Sequence, residues 1–309
     1  MKIPTNKELD TLIKQQARNQ MIAHYTTMEG LHGLIQGAIT KGTQTLLNFW
    51  ASNIFAVNDP NELMFGYDTI WKLLPKIEKD NRMPKGYRLS EIWNLKKEND
   101  TTSYNDILKE SLYNNYDSNP YIISFSQSID SLSLFRLYSN NGCGVSIVFS
   151  YGELKEQGFQ LFDVIYSKGD VDIYNRDLNR KTNTLYNSYL KEIKQDSNNT
   201  DRFSIMLKHL TLLSLVVAPY IKNEDYADER EIRFSKTEKF SETVKFRLSK
   251  NGNMIPYIIQ EIPVCTIKKI IIGPCADYMT ARKMIEFELE SKGIGGIPIE
   301  KSKTNYRIY

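Results

Sequence analysis

At 309 residues and 41% hydrophobic content, the chain can bury a substantial core, and a single elaborated domain over 1–309 is the simplest organisation. Forty basic residues against 37 acidic ones leave a formal net charge of +3, so no global field draws it to nucleic acid or an anionic membrane, and anionic partners must be met locally. The three cysteines, Cys143, Cys265 and Cys275, lack zinc-like spacing and fit reduced thiols in a cytosolic protein.

The start of the chain, Met1 to Lys7, shows no basic flank followed by an apolar core, so no signal peptide is expected. The longest apolar candidate, Leu210 to Ala218, contains Thr and Ser and stops at Pro219, short of the roughly 18 residues of a membrane span. A soluble, cytoplasmic protein is expected.

Leu9, Leu12 and Ile13 predict a short amphipathic helix within Lys7 to Asn19. Met21 to Thr27 reads as a strand running into a turn, where Thr27 caps a helix from Met28 to Gln36 and Gly37 stops it. His24 and Tyr25 then sit at a strand end beside a helix N-terminus, where free amides favour phosphate. Leu46 to Ser52 reads as a second strand. In Asn58-Asp59-Pro60-Asn61-Glu62, the Asn or Asp caps, Pro suits the first helical position and Glu the first turn. That helix, Leu63 to Leu74, is expected to run as far as Pro75, ahead of a polar insertion near 78–106 and a further helix over Ile107 to Tyr113.

Pro120 to Ser126 is rich in β-branched and aromatic residues and reads as a strand. A helix over Ser128 to Asn140, a turn at Gly142-Cys143-Gly144, and strands over Val145 to Phe149 and Phe162 to Tyr166 follow. A helical insertion near 170–220 carries helices over Leu185 to Ile193 and Ile205 to Val217. Then comes Glu224 to Phe234, where acids and bases alternate. If the segment is extended, Glu229, Glu231 and Arg233 form one polar row, because strand side chains alternate with period two. Strands over Thr243 to Leu248 and Ile255 to Ile259 flank a hairpin turn at Asn251-Gly252. A strand over Ile267 to Ile272, a helix over Thr280 to Ser291 and a final strand complete an α+β reading.

Of the histidines His24, His32 and His209, the last sits in an apolar helix. No H-E-x-x-H, Gly-x-Ser-x-Gly, Walker or dinucleotide glycine pattern occurs, which leaves metal hydrolases, serine hydrolases and common nucleotide folds without a signature.

The ordered set His24-Tyr25-Thr26-Thr27, Asn58-Asp59-Pro60-x-Glu62, Ile123-Ser124-Phe125-Ser126 with Asp130 and Tyr138, Tyr220-Ile221-Lys222, Glu229-x-Glu231-x-Arg233, Ile271-Ile272-Gly273-Pro274 and Glu300-Lys301-Ser302 resembles the bacterial domain-of-unknown-function 2971 family. The likeness spans about His24 to Arg307. One departure is Phe135-Arg136-Leu137-Tyr138, where the family more often has Trp before the Tyr. That family in turn resembles the ADP-ribosyltransferase superfamily, which implies a split mixed or antiparallel sheet with helical insertions and NAD as substrate without a metal. The resemblance implies His24 as the ribose-holding His, with Tyr25 and Thr26 beside it. It also implies Ser126 as the middle-strand residue, Glu231 as the late Glu contacting ribose, and Glu229 as its E-x-E partner. Tyr138, Arg233, Asn58 and Asp59 complete the implied nucleotide site.

The resemblance further implies transfer of ADP-ribose to a macromolecular acceptor, protein, RNA or DNA, in a toxin or phage-defence setting with an antitoxin or trigger protein. Two other readings use the same cleft. One is a non-catalytic nucleotide or nucleic-acid sensor, in which Lys222, Arg230, Arg233, Lys236, Lys239, Lys245 and Arg247 meet phosphates. The other is a metal-free nuclease with His24 and Glu231 as acid and base.

Overall fold

The computed structural model describes residues 19–57, 62–80, 82, 85, 88–91, 119–168, 176–195, 202–239, 241–249 and 252–306. The expected helices over Lys7 to Asn19 and Ile107 to Tyr113, and the cap residues Asn58 and Asp59, lie outside or almost wholly outside them.

The first half holds β1 (Met21–Thr26), α1 (Met28–Gln36), β2 (Ile39–Lys41), β3 (Gln44–Asn53), α2 (Glu62–Asp80) and β4 (Asn119–Ser126). The middle holds α3 (Leu132–Tyr138), β5 (Val145–Ser150), α4 (Tyr151–Glu156), β6 (Leu161–Asp163), β7 (Ile165–Ser167), α5 (Arg176–Gln195) and α6 (Arg202–Val217). The last third holds β8 (Ile221–Asn223), β9 (Glu231–Glu238), β10 (Lys245–Leu248), β11 (Met254–Pro263), β12 (Ile267–Ile272), α7 (Tyr278–Ser291) and β13 (Ile299–Lys301). Eleven of these strands form one sheet, mostly antiparallel with β12 and β13 parallel, and β7 and β8 pair separately. The class is α+β.

The sheet forks at β4. One edge of β4 pairs with β9 from Asn119 to Ser126. The other edge meets β3 at Tyr121 and Ile122, and meets β1 only at Ser126. Between those points β1 and β3 diverge, and a cleft opens over Ile123, Ser124 and Phe125.

Helices cover both faces. Leu31, Leu34 and Ile35 of α1 and Ile285 and Leu289 of α7 join Phe49, Phe125 and Phe149 in one core. On the other side Leu63, Tyr67, Ile70 and Leu74 of α2 pack with Tyr186, Tyr189 and Leu215 of α5 and α6 around Ile122.

Several boundaries differ from the sequence reading, each for a physical reason. Pro75 was expected to end its helix, yet α2 runs on to Asp80. Its ring forfeits one backbone bond, and packing of Leu73, Leu74 and Ile77 holds the helix through it. The strand expected over Phe162 to Tyr166 is two strands in different sheets, broken at Val164, whose N–H donates to the Glu231 carbonyl. The helix expected over Ser128 to Asn140 shortens to α3. The preceding loop is fixed instead by the Tyr25 hydroxyl, which donates to the Ser128 carbonyl at 2.6 Å and accepts from Ser131 N at 2.9 Å.

Gly66 sets the approach of α2. A Cβ there would lie 2.4 Å from the Ala218 carbonyl oxygen, so only glycine lets α2 close on the 3-10 turn Ala218–Tyr220. That contact brings Glu62, in the first turn of α2, over β9.

Candidate functional site

The expected row of Glu229, Glu231 and Arg233 is only half a strand. Glu231 and Arg233 share a face of β9, while Glu229 ends the 3-10 turn Glu224–Glu229 and Arg230 is left-handed at φ 44°. This kink, an unfavourable conformation for a non-glycine residue, turns Glu229 back toward Glu231 instead of leaving it one repeat further along. Ser126 holds the kink, donating to the Glu229 carbonyl at 2.6 Å and accepting from Ser128 N at 2.9 Å.

Three carboxylates and two cations meet there, all buried. Arg233 grips Glu231 at two points, Nε to Oε1 at 2.7 Å and Nη2 to Oε2 at 2.8 Å. Its Nη1 donates to Glu62 Oε1 and to the Pro219 carbonyl. Lys222 on β8 donates to Glu229 Oε2 at 2.6 Å and Glu231 Oε2 at 3.2 Å, and stands 3.6 Å from Glu62 Oε2. The Tyr138 hydroxyl donates to Glu229 Oε1 at 2.6 Å. The Tyr226 ring lies 4.7 Å from the Lys222 ammonium.

The titration of these groups follows from their partners. Burial by itself would raise the Glu231 pKa, but Arg233 and Lys222 hold it down to about 2. Burial would likewise lower Lys222, yet Glu231, Glu62 and Glu229 lift it to about 12. Burial and the Glu229 carboxylate push the Tyr138 hydroxyl up, so it remains a donor.

Acceptor capacity separates the two expected glutamates. A carboxylate has about four lone-pair sites. Glu231 accepts two bonds from the Arg233 guanidinium and one from the Lys222 ammonium, which between them engage both of its oxygens. Glu229 accepts from Lys222 and Tyr138, which leaves two sites open. With all five groups ionised, three carboxylates facing two cations leave one negative charge in excess.

His24 stands on the other side of the fork. Its Nδ1 lies 2.9 Å from the Ser124 carbonyl, an acceptor only, so Nδ1 carries the proton and Nε2 is left as an acceptor. Phe49 and Phe125 contact the ring edge-on, with centroids 5.3 and 6.0 Å away. Burial lowers its pKa below the ordinary 6.5 and outweighs the bond to Ser124, so the ring is neutral at pH 7. Ser124 is exposed in mid-strand, and its carbonyl faces His24.

These groups line one cleft of about 920 Å³, together with Tyr25, Thr26, Ser126, Tyr138, Trp50 and Arg247. The sequence-derived residues thus converge, apart from Asn58 and Asp59, which lie outside the described residues. Tyr25 and Ser126 line the cleft but commit their hydroxyls to neighbouring backbone. Three of the expected basic contacts are taken, since Lys222 and Arg233 face carboxylates and Lys236 pairs with Glu238 at 3.0 Å. His32 bonds Glu288 on α7 and His209 bonds Glu192 between α5 and α6. Glu62 reads in sequence as a helix-start residue, and nothing local marks it as a partner of Arg233, 171 positions away. No group of three His, Cys, Asp or Glu among the described residues is placed to hold a metal ion.

Residues 134–234 match the model of a family described as protein of unknown function (DUF2971), about a third of the chain. The matched stretch contains Tyr138, Lys222, Glu229, Glu231 and Arg233, and leaves out His24 and Glu62. No curated protein and no solved structure matches the chain.

Proposed function

We propose that the forked cleft binds NAD and transfers its ADP-ribose to a macromolecular acceptor. The observation that carries this reading is the order of groups across neighbouring strands: a neutral His24 on β1, the Ser124 hydroxyl on β4, and Glu229 ahead of β9 in a network with more carboxylates than cations. The sequence resemblance to the ADP-ribosyltransferase superfamily, which implies Ser126 and Glu231 where this reading uses Ser124 and Glu229, and a volume within the range of small-molecule sites lend further support.

NAD supplies a glycosidic bond whose cleavage builds positive charge on the ribose, nicotinamide leaving with the bonding electrons. A preorganised carboxylate aimed at that charge lowers the barrier, by about 3–4 kcal/mol for one well-placed group. Glu229 suits this role through its two open acceptor sites. His24 Nε2 accepts from a ribose hydroxyl, and Tyr226 offers an aromatic wall beside Lys222. The incoming acceptor atom forms the new bond to the ribose carbon, and its proton passes to Glu229. Glu231 acts as a positioning residue, fixing Lys222 and through it Glu229.

The nucleotide-sensor reading keeps the same cleft and is favoured by the pairing of Glu231 with Arg233 and Lys222. Nicotinamide release from NAD separates the two. Release by the purified protein, in the presence of cell protein, RNA or DNA, supports transfer; tight NAD binding without release in any mixture supports the sensor. The nuclease reading loses ground because Glu231, its intended base, is held by Arg233 and Lys222.

A further inference from the structure

The carboxylate network occupies only part of the cleft; a second set of groups sits where it reaches β10. Trp50 on β3 is 52% exposed in mid-strand, and Tyr257 on β11 backs it with ring centroids 4.8 Å apart and planes 32° apart. Tyr257 lies opposite both Ser52 and Lys245 in the sheet register, so Trp50, Ser52, Tyr257, Lys245 and Arg247 share one face. Arg247 Nη2 is anchored on Ser52 Oγ at 3.2 Å, its guanidinium carbon stands 5.9 Å from the Trp50 ring, and its Nε is buried without a partner. Unlike Arg233, it forms no ion pair with a described carboxylate. Lys245, exposed, follows along the edge strand about 7 Å away.

We infer that this ledge binds a single-stranded nucleic acid, with one base stacked on the exposed part of the Trp50 ring and its phosphates on Arg247 and Lys245. A flat, half-exposed ring beside an uncompensated guanidinium answers both parts of a nucleotide, the π-face of the base and the charge of the backbone. Arg247 is only part-buried and its hydrogen bond runs from Nη2 to Ser52, so the outer guanidinium donors can meet a phosphate oxygen. Since the ledge runs out of the cleft along an edge strand, it fits a strand passing through better than a free mononucleotide. Naming this strand as the acceptor rests on the transferase reading; the binding itself does not.

The test is anisotropy of a labelled oligonucleotide of about twelve residues, single-stranded DNA and RNA in turn and then duplex, without NAD. The wild-type protein is expected to bind single strands more tightly than duplex, weakening steeply with salt. Trp50→Ala and Arg247→Gln are each expected to lose about tenfold or more, while Trp50→Phe keeps most of the binding. Folded Trp50→Ala and Arg247→Gln proteins that bind like wild type would overturn the inference; should Trp50→Ala not fold, Arg247→Gln and Trp50→Phe decide it alone. Equal affinity for duplex would also overturn it, whereas NAD-dependent labelling confined to protein and unaffected by Arg247→Gln would strike only the naming of the strand as acceptor. Oligonucleotide binding without nicotinamide release would sink the transferase reading and leave this one standing, and release without oligonucleotide binding would do the reverse.

Discussion

Arg233 and Glu231, two residues apart on β9, face each other as a two-point pair with Nε–Oε1 at 2.7 Å and Nη2–Oε2 at 2.8 Å, almost sealed from solvent. Each buried ion loses several kcal/mol of hydration, and the pair is tolerated because the partner and Glu62 restore it. Arg233→Met is expected to leave Glu231 and Glu62 uncompensated and to destabilise the fold by about 3–5 kcal/mol. A thermal melt checks this; an unchanged midpoint would contradict it.

The same pair sets a pH dependence. Glu231 has a folded pKa of about 2 against an ordinary 4.5, so the unfolded chain takes up its proton first. Its stabilisation is therefore full above pH 4.5 and is lost as the pH falls toward 2, amounting to something on the order of 3 kcal/mol. Urea unfolding at a series of pH values should show this slope in wild type and a shallower one in Glu231→Gln.

Ser124 and Ser126 separate function from structure. Ser126 supports the Glu229 kink from a buried position, so Ser126→Ala leaves the Glu229 carbonyl and Ser128 N–H without it and is expected to cost about 1–3 kcal/mol. Ser124→Ala removes an exposed hydroxyl, so the melt should hardly move while nicotinamide release falls. The opposite pattern, a stable Ser126→Ala and an unstable Ser124→Ala, would reverse these roles.

In the proposed transfer, His24 acts through its neutral form. Because burial puts its pKa below 6.5, kcat/KM for NAD should stay level down to pH 6.5 and fall only further into acid, as Nε2 gains a proton and ceases to accept. His24→Ala should lower kcat/KM and lose this acid limb. An acid limb that persists unchanged in His24→Ala belongs to another group.

Much of this site was legible in the sequence where chemistry and period coincide. The capping role of Thr27 was readable from one residue before a helical pattern, and its hydroxyl accepts from Gly30 N at 3.0 Å. Glu231 and Arg233 were placed together by the two-residue repeat of a strand. Glu229 was placed with them for a wrong local reason, since the repeat is broken by left-handed Arg230, which no residue type in that stretch announces. Glu62 was hidden because its partners lie on β8 and β9, and only the Gly66 contact with Ala218 brings it there. The contrast between exposed Ser124 and buried Ser126 was equally closed to sequence, because it turns on which hydroxyl the fork leaves open.

The central claim is that Glu229, with open acceptor sites, is the reacting carboxylate and that Glu231 positions it. The direct measurement is transfer of label from adenylate-labelled NAD to cell protein, RNA and DNA by wild type, Glu229→Gln and Glu231→Gln, each checked by melt. Wild type should transfer label, and a stably folded Glu229→Gln should lose it by about a hundredfold or more. A folded Glu229→Gln protein that transfers label at the wild-type rate would contradict the account.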